Sequence, residues 1–464
     1  MVISVLICTR SPNTATLGDR VHVMRFMFLG MLGAYLLGNV YIFIRGWQGV
    51  NALLPLFHCS RTVALGIRIL FTLVVWGAAA SLFIALFSRD AALPDWLQGG
   101  MYNLGSIWLV FTLYMVLALV AVDLLRIFAW RQPLKESGFA AAFAFTFMLL
   151  LYGYINYRNP KVEEVDIALG CGEISAEGEN LSGREDSLSG KDSLGRNDSF
   201  GKADSPERKH VRIVAVSDVH LGFATQKKHL QRYVEKINSL SPDIILIAGD
   251  LIDNSIKPVE QQRMQEELGM LRAPGGIYMV PGNHEYISGI ADVEAFLQKT
   301  PIVLLRDSVV MHPCGIAIAG RDDRSNRGRL PVEELLGKVA EAGSAGGAGE
   351  IDKAGGVDEV GEGDVAVKAG GVVKAGDIPV ILLDHQPYEI AHKDSLGVAL
   401  QFSGHTHRGQ VWPMSILVDR MYEQSHGWRK WNNSHVIVSS GLSLWGPPFR
   451  IGTDSDLWVI NLTF

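Results

Sequence analysis

The sequence predicts a membrane part of four helices followed by an α/β domain. Three observations carry this. Four long windows without Asp, Glu, Lys or Arg fall in the first third of the chain, the composition turns polar after Arg158, and short Val/Ile-rich strands alternate with helical patterns from about residue 210. The chain has 464 residues, room for about two or three units. Hydrophobic residues make up 48%, charged residues 19%, and mean hydropathy is +0.18; soluble domains carry roughly 25% charge. A net charge of −6 argues against a general nucleic-acid binder, which is normally basic. Cys8, Cys59, Cys171 and Cys314 are too few and too scattered for a disulfide framework, and no CxxC pair suggests zinc.

The windows are residues 26–44, 69–87, 101–122 and 138–157. Each matches the roughly 20 apolar residues a helix needs to cross the hydrocarbon layer. Trp47, Trp96, Trp130 and Tyr157 stand at or near their ends, where aromatic rings prefer the interface. No ionisable residue lies inside a window, so nothing marks an ion or proton path, and residues 1–158 read as an anchor rather than a transporter. The first window is longer than a signal-peptide core and no small-residue cleavage site occurs before Arg45, so an uncleaved span is expected. Residues 1–23 fit poorly with the apolar window beside them, and Met24-Arg25 reads as a natural start.

Lys and Arg in the short loops set orientation. The first and third loops carry six: Arg45, Arg61, Arg68, Arg126, Arg131 and Lys135. Counted from Met24, the other side carries four, Arg25, Arg89, Arg158 and Lys161; including Arg10 and Arg20 makes the sides equal. The bias expects a multi-pass cell-membrane protein with its C-terminal domain outside the cytoplasm.

Residues 159–209 are polar, Gly/Ser-rich and contain near-copies starting at Gly183, Gly190 and Gly195. Such a tract buries too little apolar surface to offset chain entropy, so a disordered tether is expected; its serines also permit a phosphorylation array. A second biased tract, residues 337–377, reads as a low-complexity insert in the folded domain of residues 210–464, since loop closure grows only logarithmically with length.

Within that domain, strands are expected at 211–216, 244–248, 277–280, 380–383, 398–402 and 436–438, with helices at 226–239, 259–271 and 291–299. Sites in open α/β sheets form at the carboxyl ends of strands. The strand ends carry Asp218, His220, Asp250, Asn283, His385, His405 and His407. Carboxylate, imidazole and amide donors without thiolate suit Mn²⁺, Fe²⁺ or Zn²⁺. With Asp250 shared, seven donors make two sets of four. Two metals about 3.5–4 Å apart can hold a bridging hydroxide and clamp both oxygens of an in-line displacement at phosphorus.

Ser217-Asp-Val-His220, Gly249-Asp250, Gly282-Asn-His-Glu285, Asp384-His385 and Gly404-His-Thr-His407 resemble the ordered motifs of calcineurin-like metallophosphoesterases. Asp384-His-Gln-Pro-Tyr388, Gly409-Gln410 and the stretch from Ser440 to Arg450 resemble the membrane-associated bacterial subgroup, some of whose members carry N-terminal spans. The resemblance covers about residues 210–464 without the insert. It implies a four-layer αββα domain. It implies one metal on Asp218, His220, Asp250 and His407, and another on Asp250, Asn283, His385 and His405. It implies that the catalytic residue His284 contacts the phosphoryl group and protonates or stabilises the leaving oxygen, which an imidazole can do near neutral pH. Arg408 stands where many relatives have Gly, and can pair with a substrate anion or project to solvent.

The expected function is a membrane-anchored, metal-dependent hydrolase of a phosphodiester or pyrophosphate. An anchored site favours a lipid or lipid-linked substrate, and no nucleic-acid partner is expected. Some similar enzymes cleave the pyrophosphate of a UDP-diacylglucosamine lipid, a reaction that needs a cytoplasmic domain. The alternative is a non-catalytic membrane-anchored interaction module on the same fold, which a complete ligand set disfavours.

Weaker candidates surround the motifs. Asp253 and Asn254 can orient ligands or cap the next helix. Arg321, Asp322, Asp323, Arg324 and Arg327 read as a solvated charge cluster. Arg450 is a candidate for phosphate oxygens. Trp412, Trp428, Trp431 and Trp445 read as core residues, with a lipid or nucleotide groove as the other option. Cys171 and Cys314 read as free thiols.

Overall fold

The computed structural model describes residues 17–58, 60–87, 93–129, 134–169, 209–344 and 378–464. Of the residues 1–23 that the expected start at Met24 would leave out, 17–23 belong to the first helix and 1–16 lie outside the described residues, as do Trp130, Arg131 and Cys171. Four long helices open the chain: Leu17–Leu53, Arg61–Phe87, Asp95–Ala129 and Leu134–Tyr157. Within them Leu29–Leu53, Arg61–Ala85, Trp96–Ile127 and Gly138–Tyr157 are long and apolar enough to cross a membrane. The helices outrun the charge-free windows because charged ends are helical too. Arg45 Nη1 and Arg126 Nη1 each lie 3.0 Å from Asp123 Oδ1, and the Tyr41 hydroxyl donates to Asp123 Oδ2.

Pro160 comes just after the fourth helix, and strand β1, Lys161–Ala168, begins at once. This corrects the expected tether over 159–209: residues 159–169 are described, most of them as a strand, and only 170–208 lie outside the described residues. β1 pairs in parallel with β12 (Asp456–Thr463), from Lys161 opposite Asp456 to Ala168 opposite Thr463. Its Lys, Glu and Asp residues disguised it as linker. On a sheet edge such charges are what a strand needs to discourage further pairing, while Ile167 turns into the core.

Two six-stranded sheets form the domain. The first runs β1-β12-β2-β3-β4-β5, with β2 at His210–Val216, β3 at Ile244–Ala248, β4 at Ile277–Val280 and β5 at Ile302–Leu304. The second runs β10-β11-β9-β8-β7-β6, with β6 at Ser308–Met311, β7 at Ala317–Gly320, β8 at Val380–Leu383, β9 at Leu400–Ser403, β10 at Gly427–Lys430 and β11 at His435–Val438. One apolar cluster joins Ile213, Leu246 and Ile460 of the first sheet to Ile318, Ile381, Phe402 and Ile437 of the second, so the sheets pack face to face. Val214 and Ile247 turn outward onto Leu230, Val234 and Phe296 of the flanking helices. Ala319 and Leu382 turn outward onto Leu335 and Val339 of helix Val332–Ser344. Helix, sheet, sheet, helix gives the four layers. Strands covered on both faces read as unbroken apolar runs, as β3, β4 and β8 do.

Two other expectations need correction. The helix Val332–Ser344 takes the first part of the expected insert, because Leu335, Leu336 and Val339 keep helical spacing into it; residues 345–377 lie outside the described residues. The helix expected at 259–271 is two short ones, Lys257–Gln261 and Gln265–Leu268, separated at Arg263, whose φ is 52°.

At the carboxyl end of β11, Asp456 on β12 ties the two sheets together. It accepts from Ser439 Oγ at 2.5 Å and from the Ser440 backbone N–H at 3.0 Å, and His426 Nε2 lies 3.0 Å away.

Ile167→Ala should lower stability by about 2–5 kcal/mol, as for a buried Ile; an unchanged thermal midpoint of the purified chain would return β1 to the tether. Burial raises the Asp456 carboxyl, but His426 and Ser439 hold it below the ordinary value. Its contribution is full above the unfolded value of about 3.9 and is lost as pH falls through the lower native one. Asp456→Asn should therefore lose less stability than the parent between neutral pH and acid, read from thermal midpoints.

Candidate metal centre

The carboxyl ends of β2, β3 and β4 in one sheet and of β8 and β9 in the other open at the same edge of the sandwich. Each chain leaves its strand by a tight turn. Asp218, His220, Asp250, His405 and His407 all have left-handed backbones, with φ of 53°, 48°, 52°, 70° and 46°. Glycine is excluded here because each position must carry a donor, so backbone strain is held at the site.

These turns bring six of the expected ligands, Asp218, His220, Asp250, His385, His405 and His407, into adjoining buried groups, while the seventh, Asn283, is buried one residue before His284. Asp218, His220 and His407 form one group and Asp250, His385 and His405 a second, each offering ligand atoms within 4.8 Å of one another. A third group, His220, Asp250 and His284, overlaps both. In the first, His220 Nε2 faces His407 Nε2 at 3.1 Å, and His407 Nε2 lies 3.4 Å from Asp218 Oδ1. In the second, His385 Nε2 lies 3.2 Å from Asp250 Oδ2 and 3.3 Å from His405 Nδ1. Asp250 Oδ2 is also 3.8 Å from His220 Nε2, so this carboxylate stands between the groups. His385 Nδ1 lies 2.7 Å from the Ala248 carbonyl; donating there leaves Nε2 with its lone pair inward.

The donors fit divalent cations. Burial drives the His405 and His407 imidazoles well below their ordinary value, so both are neutral and carry lone pairs. Asn283 Oδ1, His405 Nε2 and His407 Nδ1 are buried without a hydrogen-bond partner. Buried polar atoms normally have one, and a bound cation would be a partner for such donors. Burial raises Asp250, but His385 and His284 hold its carboxyl well below the usual range; burial lowers His385, but the Asp250 charge pulls it well above, so a cation at Nε2 would take the place of a proton held there.

The surrounding residues fix this arrangement. Glu285 accepts the backbone N–H of Asp250, Ile252 and Gly282 at 2.9, 3.0 and 2.7 Å, binding the β3 turn to the β4 turn. Burial and the Asp250 charge push it up to about 7 against two of those N–H groups. A Glu three residues past Gly282, opening helix Asn283–Ser288, is the sequence signal for this clamp. Asp253 Oδ1 lies 3.4 Å from His220 Nδ1 and 3.2 Å from His284 Nδ1, the orienting position rather than a helix cap. A Cβ on Gly404 would overlap Asp218 Oδ2, and one on Gly282 would overlap Asp250 Oδ1.

Three weaker expectations are overturned. Arg450 is fully buried, and its guanidinium donates to the carbonyls of His407, Ser440 and Ser443 at 2.8, 2.5 and 2.7 Å. It staples the His407 loop to the loop after β11 and has no donor aimed at a phosphate. Arg321, Asp322 and Asp323 are buried rather than solvated: Arg321 Nη1 lies 3.3 Å from Asp384 Oδ2, and Asp323 accepts from Gln386. Arg324 and Arg327 are exposed. Trp412 and Trp428 are exposed, whereas Trp445 is partly buried with its ring centroid 6.4 Å from that of His284. The buried Lys393, 2.7 Å from Asp384 Oδ2, was missed; a lysine on a short polar helix gives no sign of a partner on the neighbouring turn.

The family profile described as calcineurin-like phosphoesterase matches residues 211–409. The chain carries a calcineurin-like phosphoesterase domain. A Helicobacter pylori protein named uncharacterized metallophosphoesterase is 34% identical over 260 residues, covering 55% of this chain and 60% of that protein. The chain thus spans less than two thirds of that relative's length. A zebrafish (Danio rerio) transmembrane protein with metallophosphoesterase domain is 26% identical, covering 96% of this chain and 91% of that one. The UDP-2,3-diacylglucosamine pyrophosphatase LpxG of Chlamydia trachomatis is 37% identical over 81 residues, 18% of this chain and 24% of that one. The similarity to the zebrafish protein extends over the helical part.

Gly404→Ala should displace Asp218 and weaken metal binding. A cation at 100 times its Kd stabilises a fold by about 2.7 kcal/mol, so added Mn²⁺ should raise the thermal midpoint of the parent and raise that of the variant much less. Equal shifts would show that the close approach of Gly404 is not needed.

Proposed function

We propose that the protein is a membrane-anchored dinuclear-metal phosphoesterase that hydrolyses a phosphodiester or pyrophosphate. The observation that supports this is the pair of buried donor groups, Asp218, His220 and His407 and Asp250, His385 and His405, with Asp250 between them. One cation would be held by Asp218, His220, Asp250 and His407, the other by Asp250, Asn283, His385 and His405. Mn²⁺, Fe²⁺ and Zn²⁺ suit these donors. When bound, such a pair supplies Lewis-acid polarisation of phosphoryl oxygens and lowers the pKa of water.

The chain's own residues do the rest. His284 is the catalytic residue: its backbone N–H donates to Asp250 Oδ1 at 2.8 Å, fixing the residue beside the cluster. Asp253 lies 3.2 Å from its Nδ1, leaving Nε2 for the leaving oxygen. Burial lowers the His284 imidazole, but Asp250 and Asp253 raise it above its ordinary value, which favours the protonated form a general acid needs. The Trp445 ring stands edge-on to the His284 ring, 6.4 Å between centroids.

The four apolar helices support membrane anchoring, and the name of the Chlamydia relative supports a lipid-linked pyrophosphate as one substrate class. The loop-charge bias favours a domain outside the cytoplasm, whereas a lipid-linked nucleotide substrate favours the inside. A reporter fused after Phe464 separates the two.

The purified chain should bind close to two equivalents of Mn²⁺ and hydrolyse aryl phosphodiesters, and a chelator should abolish turnover. No turnover on diesters, pyrophosphates or monoesters would end the proposal. His284→Ala should lower turnover by about 10²–10⁴, the range for loss of a general acid, with metal content unchanged. Loss of a metal equivalent would make His284 a ligand instead.

A further inference from the structure

Where the domain docks on its helices, an apolar surface is left without a protein partner among the described residues. Val411, Phe449 and Ile451 pack against Val110 and Tyr114 of the third helix and Leu150 of the fourth. The Tyr114 hydroxyl donates to the Trp412 carbonyl at 2.6 Å, and the Arg450 N–H to the Gly153 carbonyl at 3.0 Å. These contacts reach below the end of the bundle. Leu150 stands seven residues before Tyr157, where the fourth helix ends, about 10 Å at 1.5 Å per residue. The part of the domain touching Leu150 therefore lies level with chain that belongs in the bilayer.

From that contact the chain runs into helix Met414–Met421. Met414 packs into the same cluster and Val418 is buried. Trp412, Ile416 and Leu417 point away from the protein, 48%, 42% and 53% exposed. The outward face of this short helix carries Ile416 and Leu417 with the exposed Asp419 and Arg420 beside them; apolar side chains mixed with charged ones, beside an interface already at bilayer depth, are what an interfacial element buried about 5–10 Å into the headgroup boundary presents. The ring of Trp412 suits that layer, with an apolar body and a polar N–H.

We infer that the Trp412, Ile416 and Leu417 face lies in the interfacial layer of the bilayer and holds the metal centre against it, so that the phosphate attacked belongs to a lipid in that layer. The coupling to the site is short. The N–H of Gln410 donates to the His407 carbonyl at 2.9 Å, and Tyr422, just past the helix, has its ring centroid 6.5 Å from that of His405. The substrate half of this inference rests on the phosphoesterase reading; the surface half does not.

The test uses the full chain in phosphatidylcholine vesicles containing phosphatidylglycerol. A nitroxide is placed at Leu417→Cys, and separately at the water-exposed Lys299→Cys, after the native cysteines are changed to Ser. The label at 417 should collide more with oxygen than with a water-soluble nickel chelate, and the label at 299 the reverse. A label at 417 that reports water overturns the inference. So does spin–spin broadening at 417 that fades on dilution with unlabelled chain, since a second copy would then cover the face. For substrate, Ile416→Ser/Leu417→Ser should hydrolyse a long-chain alkyl phosphodiester embedded in vesicles about tenfold more slowly, having lost two buried aliphatic side chains. Its rate on a soluble aryl phosphodiester should be unchanged, which also shows that the variant folds. Equal losses on both esters overturn the substrate half. A parent chain that hydrolyses neither ester refutes the phosphoesterase reading and with it the substrate half; the depth measurement then decides the surface alone.

Discussion

The carboxylate of Asp250 is the point on which the centre depends. One oxygen receives the backbone of the β4 turn at His284, and the other faces His220 from the first sheet and His385 from the second. Its own N–H is taken by Glu285, and Gly282 leaves no space on its far side. A buried carboxylate must be paired to persist, and here every partner comes from a different strand end. The two sheets must therefore meet in one register, which the apolar layer between them fixes. Core packing and site geometry are in this sense one requirement.

Much of this was readable in the sequence, for a physical reason. Strands covered on both faces must be apolar throughout, so β3, β4 and β8 stand out as Ile/Val/Leu runs, each ending in a polar donor. The edge strands do not. β1 carries Lys161, Glu163, Glu164 and Asp166, and β10 carries Arg429 and Lys430, because an open edge must be guarded. Strand β5 has three residues and β6 and β7 four each, too short to show a period. The misread charges share another cause. Arg450 after two prolines resembles an anion binder until the carbonyls it meets are seen, one of them 43 positions away at His407. Arg321 finds its carboxylate 63 positions away at Asp384. Pairing at that separation leaves no local pattern.

The same holds between the two parts of the chain. Apolar windows mark helices long and apolar enough to cross a membrane, but not which of their residues meet the domain. Tyr114 and Asn156 sit within long apolar helices, yet one donates to Trp412 and the other to Arg450 and Thr453. Arg450 in turn grips the His407 loop. The helices are thus continuous with the metal centre through two hydrogen-bonded steps, which the word anchor does not convey.

The strand that replaces the expected tether sets how far the enzyme can reach. A flexible chain of about 50 residues has an end-to-end distance on the order of 40 Å, enough for a domain to sweep a volume and to touch a facing membrane. With β1 starting directly after the fourth helix and built into the first sheet, the domain keeps a fixed height and a fixed heading. Its encounters are then confined to a plane. On the proposed reading of a substrate held in the same leaflet, supply would depend on lateral diffusion past one stationary opening, and density per unit area, rather than concentration in solution, would govern the rate of encounter.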